Sequence, residues 1–443
     1  MEKTKSYTFE NGFDIQQALA EANRCLLCYD APCSKGCPGG TDPGAFIRKL
    51  RMRNITGAIR TIKNNNVLGT ACGILCPTAQ LCEKECSATS IDKPIRIGKI
   101  QRFLMEYSWN LDFDFSAGDV VEKQNSAVAI VGSGPAGITC AAALAKLGYS
   151  VTVFEARAEA GGVLRYGVPD HRFPVNYLQK ELEPIVKLGV TFKCNTTIHG
   201  DGAVENLLNT GFDAVFVATG LWNPARLNDK NIKGVFSSTE ILSKMKEGNS
   251  KLIESHLKDK TVAVIGGGSV AMDCVETSVM LGAKDVYLVY RRSFLQMPAE
   301  EDEKLNILNA GTHLLLLNQP IDYIEKDGKV SGILLRRTEL GAADKDGRRK
   351  PIEIAGSDWE LKADTIIEAI GSGTADAEYK MYPNVKVEKE LIKTDAASCA
   401  TSVPGIFAGG DIVNGPALII KAVRDGKKAA AAIDHYIKNR RVK

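Results

Sequence analysis

Two glycine-rich turns, at Gly132 and Gly266, constrain the fold more than any other feature of this sequence. The first lies in SAVAIVGSGPAGITCAAALAKLGYSVTVFE, which runs from an apolar segment through the glycines and an alanine-rich helix pattern to a second apolar segment ending in an acid. TVAVIGGGSVAMDCVETSVMLGAKDVYLVYRR repeats that order later in the chain. Each stretch is typical of a βαβ unit, so the sequence predicts two Rossmann-like α/β folds that bind dinucleotides.

The first turn has the spacing that brings a backbone close to a pyrophosphate. Gly132, Gly134 and Gly137 form G-x-G-x-x-G between strand and helix, with Pro135 and Ala136 inside the motif. The first glycine permits the tight turn, the second lets the backbone approach the phosphates, and the third lets the helix pack on the strand. The helix N-terminus adds positive dipole charge. We expect all five residues to contact a dinucleotide.

An acid and a second glycine loop complete this first predicted site. Glu155 ends the next strand, where a carboxylate accepts hydrogen bonds from ribose hydroxyls. The sequence GGVLRYGVP follows, and its Gly161 and Gly162 provide another backbone loop able to close over a phosphate, with Val163 beside them. Glu155, Gly162 and Val163 are therefore predicted to bind the same nucleotide.

The second turn is predicted to bind a nicotinamide nucleotide. Gly266, Gly268 and Ala271 form G-x-G-x-x-A, and Arg291 and Arg292 end the following strand. A guanidinium at that position pairs with a 2′-phosphate, whereas a carboxylate would repel it. We therefore expect NADP(H) to be preferred, with NAD(H) as the alternative. The other interpretation of the arginines is that one of them stacks on adenine or faces solvent.

Eight of the twelve cysteines fall close together near the start of the chain. They form the groups Cys25-x2-Cys28-x4-Cys33-x3-Cys37 and Cys72-x3-Cys76-x5-Cys82-x3-Cys86. Such clustering favours metal or redox chemistry over disulfides in a reducing compartment. The spacing, with a proline after Cys37 and after Cys76, is typical of two-cluster ferredoxins, in which the last cysteine of one run ligates the other cluster. Zinc is the alternative metal, because Cys-x2-Cys also occurs in zinc knuckles, and free structural cysteines are a third interpretation.

Composition argues against several other classes of protein. The 56 basic and 53 acidic residues give a net charge of +3, which disfavours a strongly cationic nucleic-acid binder and a disordered acidic chain. No run of about eighteen apolar residues occurs, and the opening MEKTKSYTFENGFD is too polar for a signal peptide. We expect a cytoplasmic protein that binds neither nucleic acid nor a membrane.

A motif near the C-terminus resembles one of the two-dinucleotide-binding flavoproteins. Gly409, Gly410 and Asp411 follow a strand pattern and precede a helix, and such flavoproteins hold FAD through an aspartate at this position. The resemblance implies that the first site binds FAD, with Gly410 and Asp411 among its residues, and that the C-terminal segment completes a discontinuous domain. Gly371, in TIIEAIGSG, joins the residues predicted to bind cofactor. Hydride would then pass from the nicotinamide to the flavin.

Together with the cysteine groups, these motifs resemble the flavin and iron–sulfur half of the dihydropyrimidine dehydrogenase family, in the form of a separate bacterial subunit. RCLLCYDAPCSKGCP, LGTACGILCPTAQLCEKEC, PIRIGKIQRF, GSGPAG, AGGDIV and the closing helix carry the likeness over essentially the whole chain. We expect an α-helical domain with two [4Fe–4S] clusters over 1–123, a discontinuous FAD domain over 124–227 plus 375–443, and an NADP(H) domain over 228–374.

The resemblance also implies a set of cluster ligands. One cluster would be held by Cys25, Cys28, Cys33 and Cys86. The other would be held by Cys37, Cys76, Cys82 and the side-chain oxygen of Gln101. Cys72 would then be a spare buried thiol, with cluster ligation as its alternative role. An amide oxygen in place of a thiolate removes negative charge beside the cluster, which should alter its potential.

Further contacts follow from the same family pattern. Arg172 and Ile198 would lie near the flavin. The stretch containing Gly267, Ser269 and Val270 would lie beside the NADP pyrophosphate. Where the family has another basic residue after the arginine pair, this chain has QMPAEEDE, so the sequence supplies no group for that contact.

An electron-input role is what the family resemblance implies. The pyrimidine-reducing half of the family is an FMN-binding barrel, and a β/α barrel takes roughly 250 residues, which are not available after three domains are counted. We therefore expect a partner FMN subunit that reduces uracil or thymine, and we assign no catalytic residue here. The alternatives are the small subunit of NADPH-dependent glutamate synthase and a related NAD(P)H:ferredoxin-type oxidoreductase subunit. Gln101 favours the pyrimidine interpretation, because glutamate synthase subunits are expected to carry an acid there.

Two other functional classes fit less well. A disulfide reductase of the thioredoxin reductase kind needs a Cys-x-x-Cys beside its flavin or nicotinamide, whereas Cys140 and Cys274 stand alone in apolar helix patterns and are expected to pack in the core. A purely structural or sensing role for the clusters would leave two nucleotide sites unused.

Several local features are also predicted. A helical pair is expected to break at Asn54 to Gly57, with Thr56 as the N-cap. The polar stretch over 112–126 should be a linker, and the charged stretch from Leu334 to Asp364 a hairpin at the edge of the second fold. Six basic residues from Arg48 to Lys63, with no acid between them, are expected to form a solvated helix face, with docking of an acidic partner as the alternative.

Overall fold

The computed structural model describes residues 9–111, 122–343 and 347–441, so most of the predicted linker lies outside the described residues. The chain forms two compact units. The larger unit comprises Glu10–Arg165, Arg172–Leu221 and Thr374–Lys443, and the smaller unit comprises Trp222–Gly373 with the short segment Tyr166–His171. Among the described residues, no helix combines the length and apolar character needed to cross a bilayer.

The larger unit begins with a helical module over residues 10–111, called here the cysteine module. Its helices are α1 (Ile15–Asn23), α2 (Pro32–Lys35), α3 (Pro43–Arg51), α4 (Ile55–Asn65), α5 (Gly69–Leu75) and α6 (Ile97–Ser108), with 3₁₀ helices at Thr78–Gln80 and Ser87–Ser90. Apolar faces of α3, α4 and α6 supply a buried core that includes Phe46, Ile59 and Leu104. The prediction that Thr56 caps α4 is wrong. Asn54 is the N-cap, and its side chain accepts from the Gly57 N–H at 2.9 Å, so Thr56 falls inside the first turn.

The chain continues through the first βαβ unit. Its elements are β1 (Ala127–Val131), α7 (Pro135–Lys146), β2 (Ser150–Phe154), α8 (Val163–Tyr166), α9 (Val175–Lys187), β3 (Thr191–Lys193), α10 (Ala203–Asn209) and β4 (Ala214–Val217). β1 and β4 are almost entirely buried, as expected for parallel strands covered on both faces. β1 pairs in parallel with both β2 and β4, so the glycine turn after β1 lies at the middle of the sheet.

The smaller unit contains the second βαβ pattern. Its elements are β5 (Asn223–Pro224), β6 (Val235–Ser237), α11 (Ser238–Lys246), α12 (Ser250–Leu257), β7 (Thr261–Ile265), α13 (Ser269–Met280), β8 (Asp285–Tyr290), a 3₁₀ helix (Phe294–Gln296), α14 (Glu301–Asn309), β9 (His313–Leu316), β10 (Asn318–Lys326), β11 (Lys329–Ala343), β12 (Arg349–Lys362), β13 (Thr365–Glu368) and β14 (Ser372–Gly373). A parallel sheet in the order β6-β13-β7-β8-β9 forms its centre.

The predicted hairpin is confirmed, but it does not extend the parallel sheet. β11 and β12 pair antiparallel, and β10 joins them in a separate three-stranded sheet. Tyr323, Ile333 and Leu335 from this small sheet pack with buried residues of the parallel sheet. The long charged stretch thus carries one apolar face, which is why it packs on the fold instead of standing free.

The final segment returns to the larger unit. It contains α15 (Asp376–Tyr379), β15 (Val387–Glu388), β16 (Leu391–Ile392), β17 (Ile406–Ala408), α16 (Asp411–Asn414) and α17 (Ile419–Arg441). β17 pairs in parallel with β4, giving the sheet order β17-β4-β1-β2-β3. The predicted class, two Rossmann-like folds preceded by a helical iron–sulfur module, is confirmed.

Candidate nucleotide sites and cysteine centres

The first glycine turn leaves a backbone surface open at its centre. A Cβ at Gly132, where φ is +101°, would lie 2.4 Å from the Ala218 carbonyl oxygen, and one at Gly137 would lie 2.0 Å from the Gly132 carbonyl oxygen. Both glycines are therefore required by close approach. A Cβ at Gly134 would meet nothing within 4 Å. That open backbone, at the start of α7, is the kind of cradle a pyrophosphate needs.

Glu155 is hydrogen-bonded directly to this turn. Its carboxylate accepts from the Ser133 hydroxyl at 2.5 Å and N–H at 3.1 Å, and from the Arg157 N–H at 2.9 Å. The Ser133 oxygen in turn accepts from the Gly161 N–H at 3.0 Å. A Cβ at Gly162 would lie 2.6 Å from the Gly134 Cα. The structure thus brings the turn, the acid and the second glycine loop together, and it leaves Val163 exposed beside them.

The C-terminal motif adjoins the same turn. A Cβ at Gly410, where φ is +80°, would lie 3.1 Å from the Ala136 Cβ. Burial raises the pKa of the neighbouring Asp411 to about 6, although the Ala417 N–H donates to its carboxylate. The nearby charge of Asp425 adds to that rise. A buried acid with so little compensation would gain from a hydroxyl donor such as those of the FAD ribityl chain.

The other predicted flavin residues occupy varied positions. Pro135 and Ala136 open α7, and Ile198 packs against the apolar cluster beneath β1 and β4. Arg172 is half-buried in the larger unit. Gly371 lies in the smaller unit, where its φ is +119° and its carbonyl accepts from the Ala225 N–H at 2.9 Å.

The second glycine turn has the same overall geometry with a looser third position. A Cβ at Gly266, where φ is +146°, would lie 2.4 Å from the Ala369 carbonyl oxygen, and one at Gly267 would lie 2.5 Å from the Tyr290 ring. Gly268 caps α13, Ser269 begins it and Val270 is exposed. Ala271, in place of a third glycine, is fully buried. The turn again presents backbone N–H groups at a helix start.

The arginine pair ends β8, at the place where the first fold carries Glu155. Arg291 is exposed, and its carbonyl accepts from the Thr338 hydroxyl at 2.9 Å. Arg292 donates from Nε to the Arg349 carbonyl at 2.9 Å. The Arg349 N–H donates to Gln296 at 2.8 Å. The β11–β12 hairpin therefore brings a further arginine to this edge, a placement that no local sequence signal had indicated.

The cysteines of the first predicted cluster converge. Cys25, Cys28, Cys33 and Cys86 line one concave pocket, together with Leu26 and Leu27. Burial raises the pKa of the Cys33 thiol to about 11, and the charges of Cys25 and Cys86 act in the same direction. Cys86 thus joins a group whose other members precede it by more than fifty positions, as the interleaving prediction requires.

A second group gathers around Cys76. The hydrogen bond with Cys72 and burial raise the pKa of the Cys76 thiol well above its ordinary value, and the charges of Cys82 and Cys37 add to that rise. Gln101 is buried on α6 and donates from its amide to the Gly69 carbonyl at 2.7 Å, at the start of the helix that carries Cys72. Cys72 therefore lies in this group by position, whether or not it binds metal.

The chemistry of these groups suits iron–sulfur clusters. Buried thiols that raise each other's pKa need positive charge nearby to become thiolates, and cluster iron supplies it. No three His, Cys, Asp or Glu side chains of the described residues converge closely enough to hold a single metal ion. A four-iron cluster spaces its ligands more widely, because each thiolate binds a different iron.

Two ionisable residues beside the second group, one buried and one half-buried, were not anticipated from the sequence. Glu181, on α9, accepts from the Thr70 N–H at 2.5 Å and the Ala71 N–H at 3.3 Å, at the start of α5. Lys427, on α17, donates to the Gly39 carbonyl at 2.8 Å. Burial lowers the pKa of Lys427, and the charge of Cys37 opposes that effect. Both are single polar positions on amphipathic helices, and such positions carry no motif.

The buried cysteines outside the module behave as predicted. Cys140 and Cys274 are fully buried on α7 and α13, and burial raises the pKa of both thiols well above the ordinary value. Neither has another cysteine three positions away, as a Cys-x-x-Cys motif requires. Their packing role is confirmed.

Comparison with known proteins identifies the family of this chain. A family model described as pyridine nucleotide-disulphide oxidoreductase matches residues 126–426, and one described as dihydropyrimidine dehydrogenase domain II, 4Fe-4S cluster, matches residues 2–112. The chain belongs to the pyridine nucleotide-disulphide oxidoreductase family. It is 34% identical over 428 residues to the NAD-dependent dihydropyrimidine dehydrogenase subunit PreT of Salmonella typhimurium, covering 96% of each chain. The predicted resemblance to that iron–sulfur branch is confirmed.

Other relatives share the architecture with different printed activities. The glutamate synthase [NADPH] small chain of Escherichia coli is 33% identical over 96% of this chain and 92% of its own. The NADP(+)-dependent formate dehydrogenase subunit beta of Moorella thermoacetica is 34% identical over 92% of this chain and 60% of its own. The fold of Mycobacterium tuberculosis FprA, solved with NADPH, superimposes with a TM-score of 0.61 at 19% identity, over 72% of this chain and 86% of FprA.

Membership settles the class of activity. The chain is a flavin and iron–sulfur oxidoreductase with FAD, [4Fe–4S] clusters and a nicotinamide nucleotide as cofactors. The printed names of the relatives differ in the nucleotide and in the reaction, so those two properties have to be argued from the residues of this chain.

Proposed function

We propose that this chain is the electron-input subunit of a pyrimidine-reducing complex in the cytoplasm. It would oxidise NADPH and deliver electrons to a partner FMN subunit that reduces uracil or thymine to the 5,6-dihydropyrimidine. When bound, FAD accepts a hydride and the clusters carry its electrons away singly. The observation that carries the proposal is the pair of interleaved thiol groups in a chain that also has two nucleotide folds.

The proposed domains are 1–123, 124–227 plus 375–443, and 228–374. Within the discontinuous domain, the open Gly134 backbone would take the FAD pyrophosphate, Glu155 the ribose hydroxyls and Asp411 a ribityl hydroxyl. These groups support the proposal because they lie around one turn and one helix start. Arg172 and Ile198 would border the flavin on the remaining sides.

We assign Cys25, Cys28, Cys33 and Cys86 to one cluster. We assign Cys37, Cys76, Cys82 and Gln101 to the other. The amide nitrogen of Gln101 is engaged with the Gly69 carbonyl, so its oxygen is the atom left for iron. Cys72, hydrogen-bonded to Cys76, would be a spare thiol.

NADP(H) is proposed as the preferred nucleotide. The end of β8 carries two arginines and no acid, and the guanidinium of Arg292 is fixed by the Arg349 carbonyl. An exposed guanidinium at Arg291 can pair with a 2′-phosphate, as a carboxylate could not. The NAD dependence printed for PreT makes this a discriminating point between the two proteins.

The ligand assignment has a direct test in paired variants. Gln101→Ala should lower iron and acid-labile sulfide by roughly half, because one of two clusters loses a ligand, whereas Cys72→Ser should retain the full content. The electron paramagnetic resonance signal of the second cluster should change in Gln101→Cys and not in Cys72→Ser. Loss of iron from Cys72→Ser with an intact Gln101→Ala protein would reverse the assignment.

Activity of the reconstituted complex tests the function. The holoprotein alone should reduce an artificial dye with NADPH and should leave uracil unchanged. Addition of an FMN barrel subunit encoded beside it should start uracil-dependent NADPH oxidation, with dihydrouracil as product. The proposal is wrong if that mixture forms no dihydrouracil while dye reduction is intact.

The large chain of a glutamate synthase is the second candidate partner. The glutamate synthase small chain of Escherichia coli matches this chain over nearly its whole length at almost the same identity as PreT. In that case NADPH-driven glutamate formation from glutamine and 2-oxoglutarate should appear with a large amidotransferase chain. The same assay format therefore distinguishes the two partners.

A further inference from the structure

The loop that covers the first thiol group is unusually apolar for an exposed surface. Leu26 and Leu27 lie between Cys25 and Cys28 and are 49% and 38% exposed. Tyr29, the next residue, is fully exposed, and Met52 at the end of α3 is 75% exposed. Isolated exposed apolar residues are normal, but several around one pocket indicate an interaction site. We call Leu26, Leu27, Tyr29, Met52 and Arg53 the exit face.

The same α3 ties this loop to basic residues. Arg51 donates to the Cys25 carbonyl at 2.9 Å and Arg48 approaches the Cys28 carbonyl at 3.5 Å. The guanidinium groups of α3 therefore border the loop that holds two thiols of the first group. Arg53 follows directly, exposed and with a positive φ of +59°. The exit face thus has an apolar centre and a basic border.

Three acids near this face form ion pairs with two cations. Asp30 pairs with Lys35 at 3.3 Å. Glu21 and Asp92 both pair with Arg24, at 2.6 and 2.9 Å. No acid occurs in the sequence between Arg48 and Lys63. These ion pairs leave one negative charge in excess, and the three arginines Arg48, Arg51 and Arg53 outweigh it, so the border has a net positive charge.

Electron transfer out of a buried cluster requires the acceptor to come very close, because tunnelling falls steeply with distance. Leu26 and Leu27 line the same pocket as the first thiol group and are themselves exposed, so the exit face is a solvent-accessible surface directly beside those cysteines. We propose that the exit face docks an electron-accepting protein whose own acceptor site has an apolar centre and a rim of carboxylates. This inference rests on the proposed outflow of electrons through the clusters.

The alternative occupant is a second copy of this chain. Its acidic stretch around Glu300 to Glu303, at the start of α14, could face the same arginines. Basic and apolar contacts of this size fit a transient redox encounter better than a permanent dimer, which needs a larger apolar area. Oligomeric state therefore enters the test as an outcome that would overturn the proposal.

The probe is an acidic flavodoxin, which stands for the acceptor class. Each NADPH gives two electrons and one proton on becoming NADP⁺; two flavodoxin molecules take one electron each, and the proton passes to water. The test variants of the holoprotein are Met52→Ser/Arg53→Glu and Tyr29→Ser. Matched controls elsewhere are Lys187→Glu for the charge and Leu252→Ser for the exposed apolar residue.

We expect kcat/KM for flavodoxin to fall roughly tenfold in Met52→Ser/Arg53→Glu and to lose most of its salt dependence. Reduction of basic cytochrome c should rise in the same variant, which general damage would not produce. Tyr29→Ser should lower the flavodoxin rate at every salt concentration. NADPH-driven dye reduction, iron content and both controls should stay at the wild-type level.

Unchanged flavodoxin and cytochrome c rates in both variants would overturn the docking site, as would a wild-type dimer that the variants dissociate. Failure of the proposed function looks different. In that case NADPH would not bleach the cluster absorbance even in the wild-type protein, with no acceptor present.

Discussion

Both nucleotide folds place the strand before the glycine turn at the middle of a five-stranded parallel sheet, yet the next strand ends in residues of opposite charge. In the larger unit, the end of β2 carries Glu155, buried and hydrogen-bonded to the glycine turn itself. In the smaller unit, the end of β8 carries Arg291, exposed, and Arg292, held by a hairpin. The difference supports the proposal that the scaffold fixes where a nucleotide lies, while the residue after one strand selects which nucleotide binds.

The third position of the glycine motif differs as well. Gly137 lies so close to the Gly132 carbonyl that a methyl group would overlap it, whereas Ala271 already carries that methyl group and is buried without overlap. The helix of the first fold therefore approaches its strand more tightly.

The largest expected effect comes from breaking the tighter turn. Gly137→Ala should force α7 away from β1 and reduce bound FAD by more than about tenfold, since overpacking of this kind costs roughly 1–3 kcal/mol. The flavin absorbance per chain measures it. Retention of full FAD content with an unchanged thermal midpoint would show that the approach of helix and strand is not required.

The next largest effect is expected from charge reversal at Arg291, directly after β8. Arg291→Glu should lower kcat/KM for NADPH roughly tenfold to a hundredfold, because a charge-assisted bond worth about 1.5–3 kcal/mol is replaced by repulsion, while NADH is hardly affected. Dye reduction with each nucleotide checks this. The control is Lys284→Glu, an exposed lysine just before the start of the same strand. Equal losses with NADPH and NADH would contradict the assignment.

Buried carboxyl groups also distinguish the two units. Burial raises the pKa of Glu181 to about 8, so folding favours its protonated form. In the smaller unit, Glu368 is equally buried but accepts from the Tyr323 hydroxyl at 2.6 Å and from Arg226 at 3.2 Å. The helix N–H groups and the charge of Lys63 oppose the rise at Glu181 without cancelling it, and burial lowers the pKa of Lys63 itself to about 8. Glu368 instead accepts from an arginine that is partly exposed.

This contrast predicts a pH dependence of stability. Between about pH 4.5 and 8 the folded protein keeps the Glu181 proton that the unfolded chain releases, so stability should fall as pH rises, by at most about 1.4 kcal/mol per pH unit. Glu181→Gln should remove that component of the slope. Glu183→Gln, an exposed position on the same helix, should not. Thermal midpoints from pH 5 to 8 provide the measurement, and parallel curves for all three proteins would refute the role of Glu181.

The smallest effect is expected at the looser turn. Ala271→Gly should cost no more than about 1 kcal/mol of stability, the helix-propensity difference, and should leave the KM for NADPH within roughly twofold. Thermal unfolding and NADPH kinetics check it. A loss as large as that of Gly137→Ala would mean that the two turns are equally tight.

The parts of the fold that follow from local pattern were predictable. Both βαβ units, the interleaving of Cys37 and Cys86, and the charged hairpin all have short-range or family signals. The Thr56 cap was wrong because Asn54 offers a side chain two residues earlier that reaches the same turn. No sequence pattern predicts the buried position of Glu181, because that side chain accepts from helix N–H groups more than a hundred residues away.

The placement of Arg349 shows the same limit. Its sequence neighbours indicate an exposed hairpin, and only the packing of the small sheet on the parallel sheet brings it beside Arg292. Long-range juxtaposition of this kind is decided by tertiary packing, which single-residue propensities do not encode.

Helix α17 has a consequence for the order of synthesis. Lys427 reaches the Gly39 carbonyl across 388 positions, and a Cβ at Gly426 would lie 2.4 Å from the Ala136 carbonyl oxygen, so the helix crosses α7 at close range. On the ribosome the parallel sheet of the smaller unit is complete long before this helix emerges. The flavin fold and the second thiol group can therefore complete their folding only after α17 has been synthesised. A truncation within α17 would disrupt both of them, although their first residues lie in the N-terminal part of the chain.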